Sequence, residues 1–91
     1  MELITALDEF GLRQRRRFRG EDGRQHALAL ETLREYLLEE MGFEDVESIR
    51  PKDFHEFLFE YYPAQSHPEA EVALALLEVC VAFAEWLRER G

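Results

Sequence analysis

The stretch Asp45-Val46-Glu47-Ser48-Ile49-Arg50-Pro51-Lys52-Asp53-Phe54-His55-Glu56-Phe57-Leu58 fuses a helix-start signal to an apolar stripe. Proline fits the first helical turn, where its missing N–H would have no intrahelical acceptor and its fixed φ is already helical. Ser48 or Arg50 then supplies the N-cap, and Asp53 and Glu56 put negative charge near the positive end of the helix dipole. Phe54, Phe57, Leu58 and Tyr61 recur at i, i+3, i+4 and i+7, which is one face of a helix. This run therefore predicts both where a helix begins and which side of it is buried.

Downstream, Pro63 ends that helix, and Ser66-His67-Pro68-Glu69 has the Ser-x-x-Glu spacing of a capping box at the start of the next. The last helix runs to about Arg90. Val72, Leu76, Val79, Cys80, Phe83, Trp86 and Leu87 fill one side of it, and Leu74, Leu77 and Val81 flank a narrow polar stripe of Glu71, Glu78 and Glu85. A helix polar along so little of its circumference is either central to a bundle or shared with a partner chain. Leu74, Leu77, Val81, Phe83 and Trp86 are the residues expected at an interface, because so short a chain has little other mass to cover them.

Upstream, Gly42 is the residue type that takes a left-handed conformation after a helix, with Phe43 placed to pack back over the last turn. It closes a helix expected from about Gln25 to Met41 that presents Leu30, Leu33, Leu37 and Met41 inward. Gly20-Glu21-Asp22-Gly23 reads as a turn. The first segment, about Glu2 to Phe18, has Leu3, Ala6, Leu7 and Phe10 at helical spacing, with Gly11 interrupting it before a run of arginines. The predicted fold is all-α: a compact, four-helix, bundle-like single domain over residues 1–91, with an N-terminal helix and basic segment over 1–24 and a three-helix core over 25–91.

Composition agrees with a folded domain of this size. Apolar residues make up 46% and charged residues 34% of 91 residues, enough for one modest core and too few for two. No run of about 18 uncharged apolar residues exists to span a membrane. The N-terminus lacks the basic start and long apolar region of a secretory signal, and the lone Cys80 has no internal disulfide partner, so a cytoplasmic location is expected. The net charge of −9 hides a division: residues 13–19 carry five positive charges, while residues 25–91 carry 15 acidic against 5 basic residues.

The order Leu33-x-x-Tyr36-Leu37, Gly42-Phe43, Ile49-x-Pro51-x-Asp53-Phe54-x-x-Phe57-Leu58 and Phe83-x-x-Trp86-Leu87-x-x-x-Gly91 resembles the SAM-like N-terminal core-binding domain of tyrosine recombinases and phage integrases, over about residues 28–91. The resemblance implies a SAM-like helical arrangement and nucleic-acid contact. It implies no catalysis, because in that family the Arg/His/Tyr constellation belongs to a separate catalytic domain, absent here. Where a phosphate-binding surface would need Lys or Arg, this chain has Glu31, Glu35, Glu39, Glu40, Glu56, Glu60 and Glu78, and Arg50 replaces the usual Thr or Ser before the helix-start proline.

Arg13, Arg15, Arg16, Arg17 and Arg19 form the sharpest surface feature. They suit contact with nucleic acid, with Phe18 available for stacking, or they lie against acidic helices of this chain or of a second copy. His26, His55, His67 and Cys80 make no metal-ligand spacing, so the histidines read as surface or capping residues and Cys80 as a buried, inert thiol, with no metal or other cofactor expected. No glycine-rich phosphate loop is present, and Tyr61-Tyr62 reads as core and rim packing. The expected function is a non-enzymatic interaction module that binds a protein partner or itself, without a small-molecule substrate. The alternative is a nucleic-acid-binding accessory domain using Arg13 to Arg19.

Overall fold

Four α-helices are found among the residues that the computed structural model describes, 1–62 and 70–90. They are α1 (Leu3–Arg17), α2 (Gly20–Glu35), α3 (Pro51–Glu56) and α4 (Ala70–Arg90). Single π-helical turns extend α2 over Tyr36–Glu40 and α3 over Phe57–Tyr61, and a short 3-10 turn over Val46–Ser48 precedes α3. The fold is all-α. Its radius of gyration of 12.4 Å is close to the ~12 Å of a compact chain this long. Pro63, the Ser66–Glu69 capping box, His67 and Gly91 lie outside the described residues.

The first helix is continuous through Gly11, contrary to expectation. Tertiary packing overrides the glycine's poor propensity: a Cβ at Gly11 would meet Leu30 Cδ2 at 3.3 Å, so the missing side chain lets α1 and α2 approach closely. Leu3, Ala6, Leu7 and Phe10 all face the core, making α1 part of it. The helix has no side-chain cap, and the Leu3 N–H instead donates to the Glu44 carbonyl at 2.9 Å. The Val46 N–H donates to the Met1 carbonyl, and the Met1 ammonium lies 3.5 Å from Asp45, fastening the start of the chain to the loop before α3.

Gly20 to Gly23 is the first turn of α2, not a separate turn. Only Phe18 and Arg19 connect the two helices, and a Cβ at Gly23 would come within 2.7 Å of the Phe18 carbonyl oxygen, so this short link requires glycine there. At the other end of α2, Gly42 has φ +68° as expected, and the Phe43 N–H donates to the Leu37 carbonyl. Leu33 and Leu37 are buried and Leu30 is half-buried, whereas Met41 is exposed. The π-helical turn, with Met41 N–H donating to Tyr36, holds one residue more than an α-turn and carries Met41 past the inward face.

Arg50 is the N-cap residue of α3, but an arginine side chain has no acceptor to offer. The cap is therefore half of a capping box: the Asp53 carboxylate, buried, accepts from the Arg50 N–H at 2.7 Å. Phe57 is fully buried, and Phe54, Leu58 and Tyr61 pack against the core half-buried, as their spacing predicts. The last helix is central. Its Phe83 lies 5.0 Å from Phe10 of α1 and 6.5 Å from Phe54 of α3 between ring centroids, and Trp86 lies 5.9 Å from Phe10.

Candidate functional site

Phe83 and Trp86 are core residues, 0% and 3% exposed, which corrects their expected place at an interface. The covering mass comes from α1, whose Phe10 fills the space above them, while Arg90 lays its guanidinium 4.5 Å from the Trp86 ring centre and pairs with Glu9 at 3.4 Å. The other three expected interface residues are on the surface: Leu74, Leu77 and Val81 are 57%, 45% and 49% exposed. At i, i+3 and i+7 they form one aliphatic stripe beside the exposed Glu78 and Glu85.

The arginines occupy the end of α1 and its connection to α2. Arg15, Arg16 and Arg17 lie in the last turn, where positive charge complements the negative end of the helix dipole. Arg13 pairs with Glu89 at 3.5 Å. Arg15, Arg16, Arg17 and Arg19 are exposed and have no acidic partner among the described residues. Among the described residues the five thus divide into one surface ion pair and four cations without an acidic partner.

Two of those cations border a groove of about 890 Å³ running along the α1–α2 hairpin. Leu7, Leu12 and Leu30 contribute apolar walls, and Phe18, Arg15 and Arg19 stand at the hairpin end. Towards the opposite end, Arg34 donates to Asp8 at 2.7 Å and joins the two helices. Gln14 and His26 also line the groove, only 6% and 7% exposed, and Gln14 Oε1 and His26 Nδ1 have no hydrogen-bond partner among the described residues.

The surface or capping place expected for His26 is corrected: the structure buries it, with Nε2 3.2 Å from the Glu78 carboxylate and the tilted Phe18 ring 4.1 Å away between centroids. Both polar groups stand in register with apolar stripes: Gln14 follows Leu3, Leu7 and Phe10, and His26 precedes Ala29, Leu33 and Leu37. A polar residue at an inward-facing position was the signal that could have singled them out.

Cys80 is buried, and burial pushes its thiol up to about 12. Tyr36 and Tyr61 are also shifted upward, first by burial and then by nearby carboxylates, so their phenols hold their protons more tightly. Tyr36 packs with tilted rings between Phe57 and Tyr61, at 5.0 Å and 4.8 Å between centroids. His55 is exposed and lies with its ring tilted 4.8 Å from that of Phe59. Among the described residues no three His, Cys, Asp or Glu side chains converge as a metal site would require, and no helix is long and apolar enough to cross a membrane. Comparison with protein-family models, with curated proteins and with solved structures finds no match to this chain.

Proposed function

We propose that this chain is a small non-enzymatic interaction module of the cytoplasm that binds a protein, and that the occupant its geometry favours is a second copy of itself. The observation that carries this reading is the exposure of Leu74, Leu77 and Val81 along one line of α4, whose opposite face is the protein's core. An isologous contact would pair this stripe with its own counterpart and needs no second complementary surface. The acidic body and the exposed arginines at the end of α1 also supply opposite charges on one molecule. Three side chains fall well short of the ~800 Å² per partner of a standard interface, so the expected association is weak, with a Kd on the order of 100 µM. Sedimentation across a concentration series should show reversible dimerisation, abolished by Leu77→Glu. A foreign protein partner is the version left if the wild-type chain stays monomeric.

A second reading is a nucleic-acid accessory role on the scaffold that resembles the recombinase core-binding domain. It is favoured by the absence of acidic partners for Arg15, Arg16, Arg17 and Arg19 among the described residues. Net charge does not exclude it, since charges are screened beyond about 8 Å at physiological salt. Replacing Arg15, Arg16 and Arg17 with Ala should then abolish oligonucleotide binding, whereas binding that survives with an unchanged salt slope sinks this reading.

A further inference from the structure

The α1–α2 groove shares no residue with the α4 stripe, and its chemistry describes a different occupant. His26 Nε2 faces the Glu78 carboxylate, which can only accept, and in the tautomer whose Nε2–H donates to it Nδ1 offers a lone pair. Gln14 Oε1 is likewise an acceptor. The two unpartnered buried atoms therefore both call for N–H or O–H donors. Arg15 and Arg19 call for an anion, but only at the hairpin end, because Asp8 and Glu31 line the groove farther along.

We propose that this groove captures the carboxy-terminal end of a partner polypeptide in extended form. The terminal carboxylate lies between Arg15 and Arg19, backbone N–H groups donate to Gln14 Oε1 and His26 Nδ1, and side chains rest on Leu7, Leu12 and Leu30. Along α1 the seven residues from Asp8 to Arg15 rise roughly 10 Å, the reach of about three extended residues. A free chain end supplies backbone donors and one negative charge at one end. A nucleic-acid strand would instead carry a phosphate past Asp8 and Glu31 at every step. Both acceptor atoms are buried, with Phe18 over the His26 ring, so the side chains of Phe18 and Gln14 must shift as the chain end enters; Phe18 sits half-buried in the two-residue connection, with its backbone N–H donating to the Gln14 carbonyl.

The test titrates the isotope-labelled full chain with the acetylated tetrapeptide Ala-Leu-Ala-Leu bearing a free carboxylate, its amidated twin, and amidated Ala-Leu-Glu-Leu, and follows backbone amide shifts. The free-acid peptide should shift amides of residues 11–34. Amidation should weaken it about tenfold or more, as should Arg15→Ala combined with Arg19→Ala, both exposed positions that leave the core untouched. Gln14→Leu should also weaken it by about tenfold while helicity is retained. Four results overturn the proposal. They are no groove shifts at about 10 mM peptide, equal binding of the free-acid and amidated forms, a glutamate peptide that matches the free acid, or shifts of the same amides when the protein alone is diluted. The third result would mean an internal acidic segment, and the last a second copy of the chain.

Discussion

Replacing Gln14 with Leu should stabilise the protein, because Gln14 stands on the buried stripe of α1 with its carbonyl oxygen unpaired. An unsatisfied buried polar group costs about 1–3 kcal/mol, whereas an apolar side chain of similar size meets no such penalty. Leu and Gln have nearly equal helix propensity, so the backbone contributes little to the difference. The expected net gain is about 1–2 kcal/mol. At ~2.1 cal/mol/K of unfolding entropy per residue, each kcal/mol moves the midpoint of a domain this size by about 5 °C, giving a rise of about 5–10 °C. Thermal melts followed by far-UV circular dichroism, with urea denaturation as a check that the m-value is unchanged, measure it directly. A variant that melts below the wild-type chain would refute the reasoning, since Gln14 would then have a partner that Leu removes. Gained stability with lost peptide binding would mark Gln14 as a residue kept for a ligand.

Three further outcomes follow from the packing. Phe83→Ala should cost about 3–5 kcal/mol, because Phe83 is fully buried against Phe10, Phe54 and Trp86, and denaturant titration should find the variant largely unfolded or nearly so. Gly23→Ala should destabilise more than Gly11→Ala in the same assay, because its methyl group would meet the Phe18 carbonyl at 2.7 Å, whereas that of Gly11 would meet the end of a flexible Leu30 at 3.3 Å. Cys80 should resist thiol reagents in the folded protein and react quickly in denaturant. Burial raises its thiol from an ordinary 9.0 to about 12, so its contribution to stability is whole below about pH 9 and is lost as the pH rises towards 12. Native labelling as fast as that of the unfolded chain would show that α4 does not bury it.

Much of the fold was legible because local signals and the buried stripes agree. Pro51 begins α3, Gly42 ends the α2 segment with a positive φ, and Phe54, Phe57, Leu58 and Tyr61 share a face, each for a reason that four or five neighbouring residues contain. The misses are non-local. Propensity makes Gly11 a helix breaker, while its role is set by Leu30 on another helix, and the burial of Phe83 and Trp86 depends on Phe10, more than 70 residues earlier in the chain. The π-helical turn that exposes Met41 has no compact sequence signature. The candidate sites divide in the same way. The exposure of Leu74, Leu77 and Val81 follows from their place beside the polar stripe of α4, whereas the groove needs the antiparallel pairing of α1 and α2 to bring Gln14, His26, Arg15 and Arg19 to one place.

Self-association through α4 is decided by sedimentation velocity of the wild-type chain and of Leu77→Glu from about 10 µM to about 1 mM. The wild-type sedimentation coefficient should rise from monomer towards dimer across this range, while Leu77→Glu remains monomeric with the same helical content. Wild-type protein that stays monomeric throughout, or a Leu77→Glu variant that associates as well as wild type, would contradict α4-mediated self-association.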